Sequence, residues 1–168
     1  RSRHIMMECQ IRSGKSFHKT LALNEVFVHT GPGFGVLELE LCVNDEVVTR
    51  YSGDGLIIST PIGSTAHNLS AGGPILAQEL SAFVVTPVCP HSLTTRPFVE
   101  CANNSIQVRI LTAKSEPCAI IDGLPPMILE QGATVQVSKS PVAFQMIRLP
   151  GKSYFQTLRD KLRWGTGP

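Results

Sequence analysis

Leu37, Leu39, Leu41 and Val43 alternate with Glu38, Glu40 and Cys42, and this period of two constrains the fold more than any other stretch of the chain. A repeat of two puts the aliphatic set on one face of an extended strand and the carboxylates on the other, where a helix would scatter both around its axis. A strand with one apolar face must bury it against a second layer. Asn44-Asp45 signals a turn, and Val47-Val48 begins a return strand. Further strand segments are read at residues 5–11, 21–28, 56–59, 83–85, 98–100, 106–111, 119–121, 134–137 and 142–147, each short and bounded by turn residues. The spacing predicts an all-β domain, mainly an antiparallel β-sandwich of short strands. Gly31 to Gly35, with three glycines and a proline in five residues, reads as a flexible hairpin loop.

Helical signals are few. A short helix is expected around residues 65–69, with Ser64 placed to cap its N–H groups and Gly72-Gly73-Pro74 ending it. A second could follow Pro74 over residues 75–80. The C-terminal helix is clearer: Ser153 is its cap, and Phe155, Leu158 and Leu162 form one apolar stripe that should face the sheet. Gly165 should stop it.

The 168 residues suffice for one domain with a real core, and a charged content of 17% excludes a disordered chain. Net charge is +2 and no Lys/Arg run exceeds two residues, so no nucleic-acid surface is expected. No apolar stretch is long enough for a membrane span, and no secretory signal is expected. The chain opens on Arg1, as a processed chain or a piece of a longer one would. Cys9, Cys42, Cys89, Cys101 and Cys118 never form a C-x-x-C pair, which points to reduced thiols in a cytoplasmic protein and away from a zinc site.

Residues 53–74 carry the densest chemistry. A buried-strand signal (Leu56, Ile57, Ile58) runs into a loop with hydroxyls at Ser59, Thr60, Ser64, Thr65 and Ser70. Gly63 would let the backbone approach a ligand closely, and the helix start at Ser64 would offer free N–H groups to an anion. An ordinary capped helix explains the same residues. The stretch is not a Walker A loop, because no Gly-Lys-Ser/Thr follows the glycines. Asp54, between two glycines at a strand end, is either a turn carboxylate or one that meets a ligand amide or hydroxyl. Asn24-Glu25 interrupts an apolar strand, so alternation turns one of the two inward, where it needs a partner. His67 sits beside the hydroxyls. Cys89-Pro90-His91 looks like a nucleophile pair, but Pro90 fixes a bend and no orienting acid is evident. Asp122-Gly123 reads primarily as a turn.

Together these pieces resemble the NAD kinase family. Ala22-Leu23-Asn24-Glu25 is similar to its Asn-Glu motif, and residues 53–74 resemble its long second signature almost continuously. Residues 86–93, Arg96-Pro97, Ile121-Asp122-Gly123 and residues 155–164 resemble its later blocks, in order, over nearly the whole chain. The resemblance implies that residues 1–168 are a single NAD-binding C-terminal domain. It implies an enzyme that phosphorylates the adenosine 2′-hydroxyl of NAD to give NADP, using ATP or polyphosphate with a divalent cation, Mg2+. The family's N-terminal α/β domain, with its Gly-Gly-Asp-Gly motif and catalytic carboxylate, has no counterpart here. The only Gly-Asp-Gly, at 53–55, belongs to the second signature, so no catalytic base is assigned and the fragment alone is expected to be inactive. Asn24, Glu25, Asp54, Ser64, Thr65, Ala66, His67 and Ser70 are the implied NAD contacts. Asn24 and residues 65–70 would hold the adenosine end and Asp54 the nicotinamide end. His67 stands where the family usually has Tyr. A homo-oligomer, dimer or tetramer, through the β-domain is implied too. The competing readings are a related lipid-kinase C-terminal domain and a non-enzymatic ligand-sensing or assembly domain.

Overall fold

The computed structural model describes residues 1–32, 35–147, 151 and 153–163. Twelve strands form two six-stranded sheets. The first runs in the order β2 (Ser16–Ala22), β1 (Ser2–Ser13), β12 (Thr134–Met146), β9 (Ile106–Ala113), β4 (Leu37–Val43) and β5 (Glu46–Gly53). The second runs β11 (Met127–Ile128), β10 (Cys118–Ile121), β3 (Glu25–His29), β6 (Gly55–Ser59), β7 (Ala82–Val88) and β8 (Phe98–Cys101). Every pairing is antiparallel. The antiparallel sandwich expected from the alternation is therefore what forms.

Alternation decides what lies between the sheets. Leu37, Leu39 and Leu41 of β4 meet Val26, Val28, Leu56, Ile58, Phe83 and Val85 of the second sheet in one continuous core. The strand with the clearest pattern turns back at Asn44 and Asp45, whose φ values of 48° and 67° fit the two-residue hairpin whose twist matches its strands. Segments 134–137 and 142–147 prove to be one strand, β12, carried through a register shift opposite β1.

Three expectations fail. Segment 21–28 is two strands in different sheets, with Leu23 and Asn24 as the crossover. Residues 31–35 join β3 to β4 across the two sheets and so make no hairpin; Gly33 and Phe34 lie outside the described residues. Residues 75–80 are not helical. Leu76 N–H is taken by the Ser64 hydroxyl at 3.0 Å, and six residues offer too few helical bonds to offset nucleation.

Among the described residues, two short helices and one longer one accompany the strands. A 3-10 turn (Gly63–Thr65) leads into α1 (His67–Ser70), and Gly72, with φ 83°, helps end it as the Gly-Gly-Pro signal requires. The C-terminal helix α2 (Tyr154–Leu162) is capped by the Ser153 hydroxyl, which accepts from Gln156 N–H at 3.1 Å. Of its stripe, Leu158 is buried but Phe155 is 65% exposed, so the stripe faces protein only in part. Gly165 lies outside the described residues. All five cysteines are free. Among the described residues no helix is long and apolar enough to cross a membrane.

Candidate functional site

The site lies on the outer face of the second sheet. There β3 turns Glu25, Phe27 and His29 outward while Val26 and Val28 enter the core. On β6 and β7 the outward residues Ile57, Ser59, Val84 and Thr86 are fully buried, because residues 60–76 fold back over them. The Thr86 hydroxyl donates to Asn68 Oδ1 at 2.6 Å, and the Asn68 amide donates to the Ser64 and Pro74 carbonyls at 3.0 and 3.1 Å. Asn68 is fully buried and satisfied, which locks α1 to the sheet.

The hydroxyls of this segment are spent on the protein itself. Ser59 donates to the Asn24 and Thr60 carbonyls, and Thr60 donates to the Leu23 carbonyl at 2.5 Å. Ser64 donates to the Pro61 carbonyl at 2.7 Å and accepts from Leu76 N–H, so it does not cap α1, whose N-terminus has no side-chain cap. Nor is the helix start a row of free donors. Gly63 N–H meets the Thr60 hydroxyl, Ser64 N–H meets the Thr60 carbonyl, and Ala66 N–H meets the Gly63 carbonyl. Gly63 allows a close approach, but of protein: a Cβ there would sit 2.0 Å from the Asn24 carbonyl oxygen. A Cβ on Gly73 would meet the Asn68 amide at 2.1 Å. The signature is therefore a tightly fitted scaffold wedged against the Asn24-Glu25 crossover.

That crossover is held from its other side by Asp122. Its carboxylate accepts the backbone N–H groups of Leu23 at 2.6 Å, Asn24 at 2.8 Å and Glu25 at 3.0 Å. Asp122 and Gly123, with φ 48° and 72°, make the tight turn that aims it, and Asp122 N–H returns a bond to the Glu25 carbonyl. The Asp-Gly pair is thus a turn as read, and also the clamp on Asn24-Glu25. Its role was visible only as a φ-permissive dipeptide, since nothing in the sequence shows which loop its carboxylate reaches.

Glu25 and His67 come together. The Glu25 carboxylate lies at the backbone N–H of His67, yet its Oε2 is buried with no partner. Burial first, and then the Asp122 charge, push its carboxyl above the usual range, against that one N–H bond. Phe27 stacks on His29 with ring centroids 4.8 Å apart and meets His67 edge-on at 4.9 Å. The three rings form a platform along β3. His29 Nδ1 accepts from Gly31 N–H at 3.0 Å, which leaves Nε2 to donate to Cys118 Sγ at 3.0 Å. Burial, then the nearby His67, lower the His29 pKa, so the ring is neutral near neutrality.

Two clefts share Phe27 and His29 and so form one trough. One, of about 620 Å³, is lined by Glu25, His67, Ile120, Leu124 and Pro126. The other, of about 690 Å³, is lined by Thr30, Asp54, Val88 and Lys114. Asp54 is pinned by its backbone, donating to Val88 and accepting from Thr30, both at 3.0 Å. Its carboxylate, beside the exposed Cys89, pushes that thiol's pKa up. Cys89 therefore faces Asp54, and His91 is tied through its backbone N–H to the Ser52 carbonyl at 2.8 Å. Of the eight sequence candidates, Glu25 and His67 line one cleft and Asp54 the other. Asn24, Thr65, Ala66 and Ser70 line neither, with Ala66 and Ser70 exposed, and Ser64 is buried beneath. Phe27 and His29 were passed over within a strand segment; splitting that segment by alternate faces would have placed them beside Glu25.

Residues 23–149 match the model of the ATP-NAD kinase C-terminal domain. The chain belongs to that family. It is 43% identical to a NAD kinase of Rhodopirellula baltica over 96% of this chain and 52% of that protein. It is 40% identical to a NAD kinase of Heliobacterium modesticaldum over 96% of this chain and 57% of that protein. Its fold matches yeast NADH kinase complexed with NADH at TM-score 0.92 and 26% identity, over 99% of this chain and 49% of that one. An Archaeoglobus fulgidus NAD kinase in complex with ATP matches at TM-score 0.72 and 27% identity, over 84% of this chain and 53% of that one. The ATP-NAD kinase domain thus spans about half the length of the curated relatives it matches.

Proposed function

We propose that this domain is the NAD-binding half of a NAD kinase, which transfers a phosphoryl group from ATP or polyphosphate to the adenosine 2′-hydroxyl of NAD. The observation that carries the reading is the orphaned Glu25 Oε2 beside a ring platform. A buried carboxylate oxygen without a donor is costly, and a ribose hydroxyl would supply the donor. Phe27 and His67 give a flat base a face to pack on. Asp54, at the far cleft, would take the nicotinamide end. Asn24, Thr65, Ala66 and Ser70, which flank the trough without lining it, are proposed contacts by the family resemblance, and buried Ser64 supports the loop from beneath.

Phosphoryl transfer depends on in-line positioning and charge neutralisation, and this half would contribute the positioning. Among the described residues no group of three or more His, Cys, Asp or Glu could hold a metal ion. We further propose, by the family resemblance, a cytoplasmic homo-oligomer assembled through the β-domain.

The test is calorimetric titration of NAD into the chain, with the assembly state followed by light scattering. Saturable binding that is lost in Glu25→Ala supports the reading. A well-folded chain that takes up no NAD at millimolar concentration overturns it for this domain alone.

A further inference from the structure

A third cleft, of about 710 Å³, opens where the start of β1, the middle of β12 and the turn after β8 converge. It shares no lining residue with the trough. The register of β1 against β12 steps from Ile5↔Ala143 to Met7↔Lys139, so Ser140, Pro141 and Val142 stand out of the ladder as a bulge. Such a bulge re-aims side chains that a regular strand would point elsewhere. Ser140 is only 6% exposed, and its hydroxyl accepts from Val142 N–H at 3.0 Å. Among the described residues nothing accepts the proton of that hydroxyl.

The charges beside it are one-sided. The Lys139 ammonium reaches only the Ser81 hydroxyl, at 2.9 Å, and the Arg3 side chain has no ion pair or hydrogen bond among the described residues. No Asp or Glu lines the cleft. His4 in its floor is 2% exposed and spoken for, donating from Nδ1 to the Gln78 carbonyl and accepting at Nε2 from Ser2. Two cations and a buried hydroxyl donor thus face one cavity with nothing to neutralise them.

We propose that this cleft binds a small, multiply charged phosphorylated anion. The Arg3 guanidinium can grip two oxygens at once, Lys139 adds a point charge, and Ser140 O–H donates a third contact from within. A multiply charged anion suits the two cations, and the room available admits a pyrophosphate or a phosphate ester of similar size.

The test is calorimetric titration of pyrophosphate into the chain at low ionic strength, with and without excess NAD to occupy the trough. Saturable binding that NAD does not displace is expected. Arg3→Gln with Lys139→Gln should weaken it about tenfold or more, the effect of losing charge-assisted bonds. Arg12→Gln with Lys15→Gln, which removes the same charge from the β1–β2 turn, should leave it within about twofold. Equal weakening by both pairs, or no saturation in the unmutated chain, overturns the proposal. In case the Arg3 and Lys139 variant unfolds, amide shifts on adding pyrophosphate to the unmutated chain decide the matter: they must centre on Lys139, Ser140 and Val142. Because the pyrophosphate signal is read apart from NAD binding, failure of either leaves the other standing.

Discussion

Replacing Asp122 with Asn isolates the clamp on the Asn24-Glu25 crossover. Asn keeps the size of the side chain and tolerates the left-handed φ of 48° that this turn demands, so backbone strain does not enter. The amide oxygen can keep accepting from Asn24 and Glu25 N–H, now at 2.8 and 3.0 Å. The amide nitrogen must then face Leu23 N–H, donor against donor, where an oxygen now accepts at 2.6 Å. One charge-assisted bond is lost outright and two become neutral. At roughly 1.5–3 kcal/mol for a hydrogen bond to a charged group, and with Asp122 half-exposed, the loss should be about 2 kcal/mol. Asp122→Ala loses the remaining two bonds as well and adds the φ penalty, and should cost about 4 kcal/mol.

The assay is urea unfolding at equilibrium, read as a fall in midpoint at unchanged slope, which reports stability alone. Two kcal/mol is a large share of a domain's stability and is easily resolved. A loss below about 0.5 kcal/mol for Asn and below about 1 kcal/mol for Ala would show that water can hold these three N–H groups as well as the carboxylate does. A second readout comes from Glu25, whose carboxyl the Asp122 charge helps to push up. With that charge gone its pKa must fall, and a carbon-detected NMR titration that shows no fall refutes the electrostatic part of the reasoning.

Glu25→Gln should stabilise the chain at pH 7 by about 1 kcal/mol while weakening NAD binding. The raised carboxyl favours the protonated folded state, so its contribution is present at acid pH and lost as pH rises through the folded value; the variant removes that loss, and an unfolding midpoint that falls contradicts it. Asp54→Asn should weaken NAD binding without shifting the melting temperature, and unchanged affinity would remove Asp54 from the site. His67→Tyr should hold or raise NAD affinity if the ring packs on a base; a loss beyond about tenfold would show another role. The lowered His29 pKa stabilises the fold above the unfolded value of about 6.5, and that stability is lost as pH falls towards the folded value. His29→Gln should therefore flatten stability against pH between about 5 and 7, as measured by thermal melts.

The sandwich was legible because strands with one buried face write their alternation into the sequence, as Leu37 to Val43 do. Residues 21–28 misled for the same reason: Leu21, Leu23, Val26 and Val28 read as one apolar run, and only the Asn24-Glu25 phase break hints at a crossover between sheets. The C-terminal helix was legible from the Ser153 cap, while the helix expected after Pro74 was not realised because tertiary bonds to Ser64 and Asn68 claim that backbone. Of the residues the resemblance pointed to, Glu25, Asp54 and His67 line the trough. The clamp from Asp122 reaches residues 97 to 99 positions away in sequence, and such contacts leave no mark in local pattern.

The hydroxyl-rich signature also teaches how specificity can be indirect. Ser and Thr in such a stretch suggest a polar ligand; the fold instead spends Ser59 and Thr60 on the Asn24 and Leu23 carbonyls of the crossover and Ser64 on the Pro61 carbonyl of its own loop. Those bonds hold α1 flat against the sheet, which fixes His67 edge-on to Phe27 and sets its backbone N–H at Glu25. The groups left for a ligand are then few: one buried carboxylate oxygen, a ring platform and the Asp54 carboxylate across the trough. A loop that satisfies nearly all its own polar groups binds little by itself. It does, however, hold the few unsatisfied ones rigid, so a ligand bound there loses less of its interaction energy to ordering the protein.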